Sequence, residues 1–176
     1  MNATQLQLVA PPAFEVVFTE HSRLVWRLLV RLGVQPRDAQ DVCQEVFIVV
    51  HRRLSDFDPR RGGLVSWLYG ICLRAASDYR RRHPNRRESP EQVLADHEAT
   101  ERPDRQLEAR RAWDKLAGVL DTLDPAQRQV FVLYELEGLD MNEVATLLGS
   151  PLQTAYARLH AARRRVLSAF ELGSAT

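Results

Sequence analysis

Apolar residues recur at intervals of three and four positions along most of this sequence, which is the spacing of amphipathic helices. The clearest case is a stripe ending at Gly33, formed by Phe14, Val17, Phe18, Val25, Leu28, Leu29 and Leu32. The same spacing predicts seven helices in all, over residues 14–32, 38–54, 64–82, 106–120, 123–138, 141–148 and 151–170. The pattern therefore predicts an all-α protein.

The last three predicted helices are separated by two tight breaks. Asp124 and Pro125 supply a capping acid and a proline at the first helical position. Gly138 closes that helix, and Gly149 ends the next one with a residue that tolerates left-handed backbone. Ser150 and Pro151 are expected to cap and start the third helix, residues 151–170.

Two helices joined by a short glycine-containing turn are typical of a helix-turn-helix, whose second helix enters the DNA major groove. The third helix is basic and carries Arg158, His160, Arg163, Arg164 and Arg165. Such a helix suits phosphate contacts, while its first turns would contact bases. The alternative is an ordinary helical hairpin with a solvated basic end.

The second predicted helix has two unlike faces. One is apolar and should point inward, through Val42, Cys43, Val46, Phe47, Val50 and Leu54. The other, here called the acidic face, consists of Asp38, Asp41, Gln44, Glu45 and Ile48. It is either a solvated surface with one stray isoleucine or a docking surface with an apolar contact inside an acidic rim.

A loop rich in proline, glycine and arginine, residues 57–63, precedes the helix predicted over 64–82. One side of that helix is lined by Trp67, Gly70, Arg74, Ser77 and Arg81, and it combines an aromatic ring with arginines. This side is here called the basic stripe, together with Arg80, which a resemblance given below adds to it. Arginines interleaved with an aromatic side chain are typical of a surface that grips the nucleic-acid backbone and stacks on a base. Alternatively Trp67 belongs to the core and the arginines are merely solvated.

The formal net charge of +1 hides a segregation of charge along the chain. Residues 51–87 and 151–176 are basic, whereas residues 88–108 are acidic and proline-containing. Two basic blocks suggest two surfaces for a polyanion, separated by a flexible acidic linker. We expect a tail at 1–12, domains at 13–84 and 107–171, and the linker at 85–106, which could cover a basic surface in the free protein.

Chemistry other than binding has little support in the sequence. Cys43 and Cys72 are far apart in apolar helical contexts, as expected of buried thiols rather than of a metal site. The five histidines are scattered, and we expect no catalytic set, metal or cofactor. No apolar run approaches the length of a membrane span and no basic-then-apolar leader is present, so we expect a cytoplasmic protein without membrane insertion.

Two separate stretches resemble one family. Residues 38–82, DAQDVCQEVFIVVHRRLSDFDPRRGGLVSWLYGICLRAASDYRRR, resemble region 2 of bacterial sigma factors of the extracytoplasmic-function group, and residues 123–167 resemble region 4. The order of the stretches, the linker and the total length agree with that group. A helix-turn-helix alone is common, so the pairing carries more weight than either half.

The resemblance implies an all-helical, two-domain, non-enzymatic factor that binds core RNA polymerase and opens promoter DNA. It assigns the acidic face to polymerase docking. It assigns the minus-10 element to the loop and the basic stripe, through Phe57, Arg60, Arg61, Trp67, Arg74, Ser77, Arg80 and Arg81. It assigns the minus-35 element to Gln153, Thr154, Tyr156, Ala157, Arg158, His160, Arg163 and Arg164.

The same resemblance implies an anti-sigma factor as a further partner, and we expect the free chain to be a monomer. The third helix departs from a common form of the family, which has an isoleucine after the turn glycine and a Val-Lys-Ser-Arg-Leu run. Here Ser150 follows the glycine and the run is Ala-Tyr-Ala-Arg-Leu over residues 155–159. The preferred promoter sequence therefore cannot be carried over.

Two other classes of protein remain as rivals. One is a stand-alone helix-turn-helix regulator that never enters polymerase, which leaves the acidic face and the basic stripe without a role. The other is a metal or thiol enzyme built on Cys43, Cys72 and His51, which has the weakest support.

Overall fold

The structure is a computed structural model that describes residues 11–83 and 103–172, without the side chains of residues 61, 103–110 and 172. The described residues are helical with short connections, as the apolar pattern predicted. The helices are α1 Phe14–Arg31, α2 Pro36–Arg53, α3 Leu64–Arg82, α4 Pro103–Thr122, α5 Pro125–Phe131, α6 Met141–Leu147 and α7 Leu152–Leu172. The all-α prediction is confirmed.

The first domain is a three-helix unit in which α1, α2 and α3 each pack against the other two. Its centre is formed by fully buried side chains from all three helices, including Val25, Leu28, Val46, Val50 and Leu68. Burial of each such side chain contributes about 2 kcal/mol relative to exposure. Because the inner faces of α2 and α3 are buried in this core, the opposite faces of both helices point away from it.

The connection between α1 and α2 is set by two residues with special backbone preferences. Gly33 has φ +101°, a left-handed conformation that a side chain disfavours. Pro36 lies in the first turn of α2, so this helix begins two residues earlier than predicted. The fixed φ of proline suits that position, and its missing N–H is not needed there.

The second domain is opened and divided by side-chain caps and glycines. Asp124 accepts a hydrogen bond from the Ala126 N–H at 2.9 Å, and Asp140 accepts from the N–H groups of Asn142 and Glu143. Gly138 and Gly149 both have positive φ, at 73° and 58°. The predicted cap of α5 and both predicted helix ends are confirmed, because each depends on local chemistry.

Three details differ from the sequence prediction. Helix α4 begins at Pro103, three residues before position 106. Helix α5 continues as a π-helical turn, Val132–Leu136, in which the Glu137 N–H donates to the Val132 carbonyl at 3.0 Å. Helix α7 begins at Leu152, and the Ser150 hydroxyl is buried without a hydrogen-bond partner, so its predicted capping role is wrong. The Pro151 carbonyl already accepts the Ala155 N–H, which places Ser150 one residue too early to cap.

The predicted N-terminal tail and most of the predicted acidic linker, including the helical turn suggested near residues 91–95, lie outside the described residues. Among the helices that the structure describes, none combines the length and the apolar character needed to cross a membrane.

Candidate functional site

The acidic face lies on the outer side of α2, opposite the core. Asp41, Gln44, Glu45 and Ile48 are all exposed, and Ile48 exposes 51% of its surface. Asp38 is half-buried, and its Oδ2 accepts a hydrogen bond from the Tyr79 hydroxyl at 2.5 Å. Glu45 forms a bidentate pair with Arg82 of α3, with N–O distances of 3.2 and 2.9 Å. The structure thus brings the five predicted residues together, with Asp38 and Glu45 tied to α3.

An exposed isoleucine within acidic and amide side chains is what a docking surface needs. Ile48 offers apolar area to a partner, while Asp41 and Gln44 offer charge and hydrogen bonds at its edge. The inner face of the same helix is buried through Val42, Val46 and Val50. Apart from the contacts of Asp38 and Glu45 and the covered half of Ile48, the acidic face is therefore open to solvent.

The loop before α3 packs an aromatic pair against the start of that helix. The ring centroids of Phe57 and Trp67 are 5.6 Å apart, and both side chains are half-buried. Pro59–Arg61 forms a short 3₁₀ turn within the predicted loop, capped by the Asp58 carboxylate. Both rings lie next to this turn and keep part of their surface uncovered, as base stacking would require.

Arg60 is exposed and is oriented by Asp58, which accepts from its Nε at 2.9 Å and from its Nη2 at 2.8 Å. This hydrogen bond, together with the charge of Asp58, raises the pKa of the Arg60 guanidinium above its ordinary value. The backbone of Arg61 lies in the same turn, while its side chain is not described. The loop therefore presents at least one fixed cation beside the aromatic pair.

The basic stripe divides into two groups on α3. Arg74 and Arg81 are exposed on the same side as Trp67, one and two heptads along the helix, with Arg81 paired to Asp78 at 2.9 Å. Ser77 and Arg80 lie on the side turned toward the second domain. The Ser77 hydroxyl accepts hydrogen bonds from Arg80 Nη2 at 3.2 Å and from Gln129 Nε2 at 3.3 Å.

Arg80 is half-buried and donates from Nη1 to the Leu32 carbonyl at 2.8 Å. Burial lowers the pKa of its guanidinium, and the nearby positive charge of Arg128 lowers it further. In this arrangement Arg80 and Ser77 serve contacts within the chain. Arg74 and Arg81 of the stripe are exposed, whereas Trp67 is half-buried and packs against the core and Phe57.

The first half of α7 presents a continuous solvent-facing surface. Ala155, Leu159 and Ala162 are buried at helical spacing and fix the direction of the helix. The opposite side consequently exposes Gln153, Tyr156, Ala157, His160 and Arg164, with Thr154 and Arg158 at its half-buried edges. This is the geometry that base and phosphate contacts in a major groove require.

Arg163 differs from the other predicted contacts of α7. Its Nε donates to Glu135 at 2.5 Å, and its guanidinium carbon lies 5.6 Å from the centroid of the Tyr134 ring. The structure adds Leu152, which the sequence did not single out and which is 38% exposed one turn before Tyr156. Its position four residues before Tyr156, which places both side chains on one helix face, could have identified it from the sequence. Apolar side chains at such positions suit the methyl group of thymine.

The two cysteines are free thiols. Cys72 is buried and Cys43 half-buried, and burial raises the pKa of Cys43 to about 11. Over residues 11–83 and 103–172, no group of three or more His, Cys, Asp or Glu side chains is arranged to hold a metal ion.

Two family models match the chain in order. Sigma-70 region 2 matches residues 17–86, which contain most of α1 and all of α2 and α3. Sigma-70, region 4 matches residues 113–166, which contain α5, α6 and the first two thirds of α7. Together the matches cover both domains, on either side of the predicted linker.

Several curated proteins are similar over most of this chain. The ECF RNA polymerase sigma factor SigE of Mycolicibacterium smegmatis is 32% identical over 89% of the chain and 61% of its own length. A probable ECF RNA polymerase sigma factor SigI of Mycobacterium tuberculosis is 33% identical over 81% of the chain and 49% of its own length. The RNA polymerase sigma factor CnrH of Cupriavidus metallidurans is 28% identical over 92% and 88%. The chain thus spans about half to three fifths of the length of the first two relatives.

Two solved structures have a similar fold. CnrH in complex with the cytosolic domain of CnrY aligns with a TM-score of 0.64 and 26% identity, over 90% of this chain and 88% of that one. The sigma factor RpoE of Bartonella quintana, in complex with the anti-sigma factor NepR, aligns with a TM-score of 0.70 and 16% identity, over 90% and 96%. At 16% identity the second likeness concerns the fold alone.

Proposed function

This chain belongs to the sigma-70 family, within its extracytoplasmic-function group, and from that membership we propose that it binds core RNA polymerase and directs transcription initiation at selected promoters. The observation that carries the proposal is the outward acidic face of α2. Ile48 is exposed there between acidic and amide side chains, on a helix whose other side is buried. A stand-alone DNA-binding regulator has no use for such a surface.

Each of the two domains would contact one promoter element. Helix α7 would lie in the major groove at the minus-35 element, with Gln153, Tyr156 and His160 toward the bases. The loop and α3 would hold the melted minus-10 element, with Phe57 and Trp67 as a stacking surface and Arg60, Arg74 and Arg81 toward the phosphates. Extrusion of a base costs a few kcal/mol, which stacking of about 1–3 kcal/mol per base offsets.

The domain boundaries are part of the proposal. Residues 13–84 would dock on polymerase and open DNA, and residues 107–171 would anchor the upstream element, with residues 85–106 between them. Because α4 begins at Pro103, the helical part of the second domain reaches into the segment assigned to the linker.

We also propose the protein partners and the cellular location of this chain from its family membership. CnrH is named in a complex with the cytosolic domain of CnrY, which supports a protein partner of the anti-sigma kind for this chain as well. We propose a non-enzymatic protein, monomeric when free, that acts in the cytoplasm, where core polymerase is found. Asp41, Gln44 and Ile48 would contact the polymerase.

The decisive experiment adds the purified chain to core RNA polymerase and a library of promoter fragments, followed by sequencing of the transcripts. We expect transcripts that start at defined sites sharing two upstream elements. Absence of stimulated transcripts together with tight duplex binding by the chain alone would favour the stand-alone regulator instead.

A narrower experiment tests the acidic face. Asp41→Arg combined with Ile48→Arg should weaken polymerase binding at least about tenfold, since it reverses one charge and removes the apolar contact. Glu45 is left intact because its pair with Arg82 would complicate the result. The matched control is Glu20→Arg, which reverses an exposed charge on α1. Equal polymerase affinity of the double variant and the control would refute the docking assignment.

A further inference from the structure

The end of α1 is held by an arginine from the second domain. Arg128 of α5 donates from Nε to the Arg31 carbonyl at 2.7 Å and from Nη2 to the Val30 carbonyl at 3.2 Å. These carbonyls belong to the last turn of α1, where helical carbonyls carry partial negative charge. The Val30 carbonyl also accepts the Gly33 N–H at 3.0 Å, so Arg128 is its second donor. Arg128 is 8% exposed, and its Nη1 pairs with Asp121 of its own domain at 2.5 Å.

Gly33 leaves the space that this guanidinium occupies. A Cβ at Gly33 would lie 3.2 Å from Arg128 Nη1 and 3.3 Å from its Cζ. Arg80 of α3 caps the next carbonyl, that of Leu32, from the other side. Two arginines on different domains thus meet at one helix end, and the backbone between α1 and α2 is shaped to admit both.

A second cross-domain contact is centred on Glu137, directly after the π-helical turn. Its Oε1 accepts from Arg31 Nη1 at 2.6 Å, and its Oε2 accepts from the Tyr69 hydroxyl at 3.1 Å. The Glu137 side chain is only 4% exposed. A buried carboxylate requires partners, and both of these partners lie on the first domain.

The Arg128 and Glu137 contacts favour a closed arrangement, in which the two domains pack against each other, without making it permanent. Desolvation of a buried ion pair offsets much of its attraction, so the net contribution of the Arg31–Glu137 pair is modest. When the domains separate, water can hydrate Glu137, Arg31 and the carbonyls at the end of α1. The closed arrangement is therefore one state of an equilibrium that a ligand of the open state can shift.

The same interface engages residues assigned to DNA. Ser77 accepts a hydrogen bond from Gln129 of α5 at 3.3 Å. Arg80 forms its hydrogen bonds within the first domain, to Leu32 and Ser77, and the charge of Arg128 of α5 lies close enough to lower the pKa of its guanidinium. In the closed arrangement Gln129 and Arg128 of the second domain lie against the side of α3 that carries Ser77 and Arg80, so a DNA strand that reaches this side has to displace them. Arg74 and Arg81 remain exposed in the closed arrangement, so only part of the basic stripe is withheld from DNA.

We propose that the free protein closes its two domains through Arg128 and Glu137, and that this closed state competes with binding of single-stranded promoter DNA at Ser77 and Arg80. The inference rests on the proposed function for the identity of the DNA, whereas closure itself does not. If closed molecules do not bind, the apparent affinity for DNA is reduced in proportion to the open fraction.

The test compares wild type with Glu137→Gln, which keeps the shape and removes the charge, and with Arg128→Met, which keeps an apolar stem. The control is Glu20→Gln, an exposed acid on α1. Small-angle scattering on the monomer measures closure, with a radius of gyration of about 16 Å expected for a fully compact chain of this length. Fluorescence anisotropy measures binding to a labelled pool of random 12-nucleotide single-stranded DNA.

We expect each interface variant to raise the radius of gyration above that of wild type and control, and to tighten DNA binding about fivefold or more. An increased radius with unchanged DNA affinity would overturn the competition. An unchanged radius for both variants, with normal helical content by circular dichroism, would overturn closure through these residues. Failure of the transcription assay with intact scattering differences would count against the proposed function alone.

Discussion

Truncation of Arg128 should cost the protein stability in proportion to the contacts that its guanidinium makes. Arg128→Met removes three donor contacts, to Val30 O, Arg31 O and Asp121, and retains most of the side-chain stem. A hydrogen bond contributes about 1 kcal/mol net, and one to a charged group about 1.5–3 kcal/mol. The total loss of unfolding free energy is smaller than the sum of these three contributions. Asp121 is 42% exposed and can be hydrated, and domain opening lets water hydrate the two carbonyls. We therefore expect a loss of about 2 kcal/mol.

Urea unfolding of the full chain, followed by circular dichroism, measures this loss as a shift of the transition. The control is Arg111→Met on the exposed surface of α4, which should change the free energy of unfolding by less than about 0.5 kcal/mol. Asp121→Asn combined with Arg128→Met should cost less than the sum of the two single changes, since the pair is lost only once. If Arg128→Met behaves like Arg111→Met, the capping of α1 across the interface is wrong.

Three further outcomes are expected. Asp140→Ala should destabilise the protein by about 1 kcal/mol in the same assay, because α6 loses the carboxylate that accepts from two of its N–H groups. Cys43 should alkylate with iodoacetamide about 100-fold more slowly at pH 8 than a free thiol, because burial raises its pKa from 9.0 to about 11. The same raised pKa stabilises the folded state below pH 9, and this stabilisation is lost as the pH rises through 11. Tyr156→Ala should change which upstream sequences are selected in the promoter library, while Ser168→Ala, farther along α7, should not.

Much of the fold followed from local chemistry, which a sequence displays directly. The Asp124 cap, the left-handed glycines at 138 and 149 and the limits of α3 depend on neighbouring residues and were correctly predicted. The predicted capping position, Ser150, was wrong by one residue. The first carbonyl that accepts a helical hydrogen bond is that of Pro151, and the sequence does not show which of two adjacent carbonyls the helix uses first. The outward direction of the acidic face followed from helical periodicity and is confirmed as geometry by the exposure of Asp41, Gln44 and Ile48.

The sequence by itself determined which residues share a helix face, since that depends only on the 100° rotation per residue. It also placed two basic surfaces on two domains and, through resemblance, assigned a family that the comparisons confirm. Their roles in DNA and polymerase binding remain predictions. Only the tertiary structure decided that Ser77 bonds to Gln129 of the second domain and that Arg80 lies near the charge of Arg128. It also decided that Arg128 and Glu137 are buried against residues of α1 and α3. The hydrogen bonds between the domains join residues 52 to 106 positions apart, and helical periodicity carries no information about which face of one domain meets another.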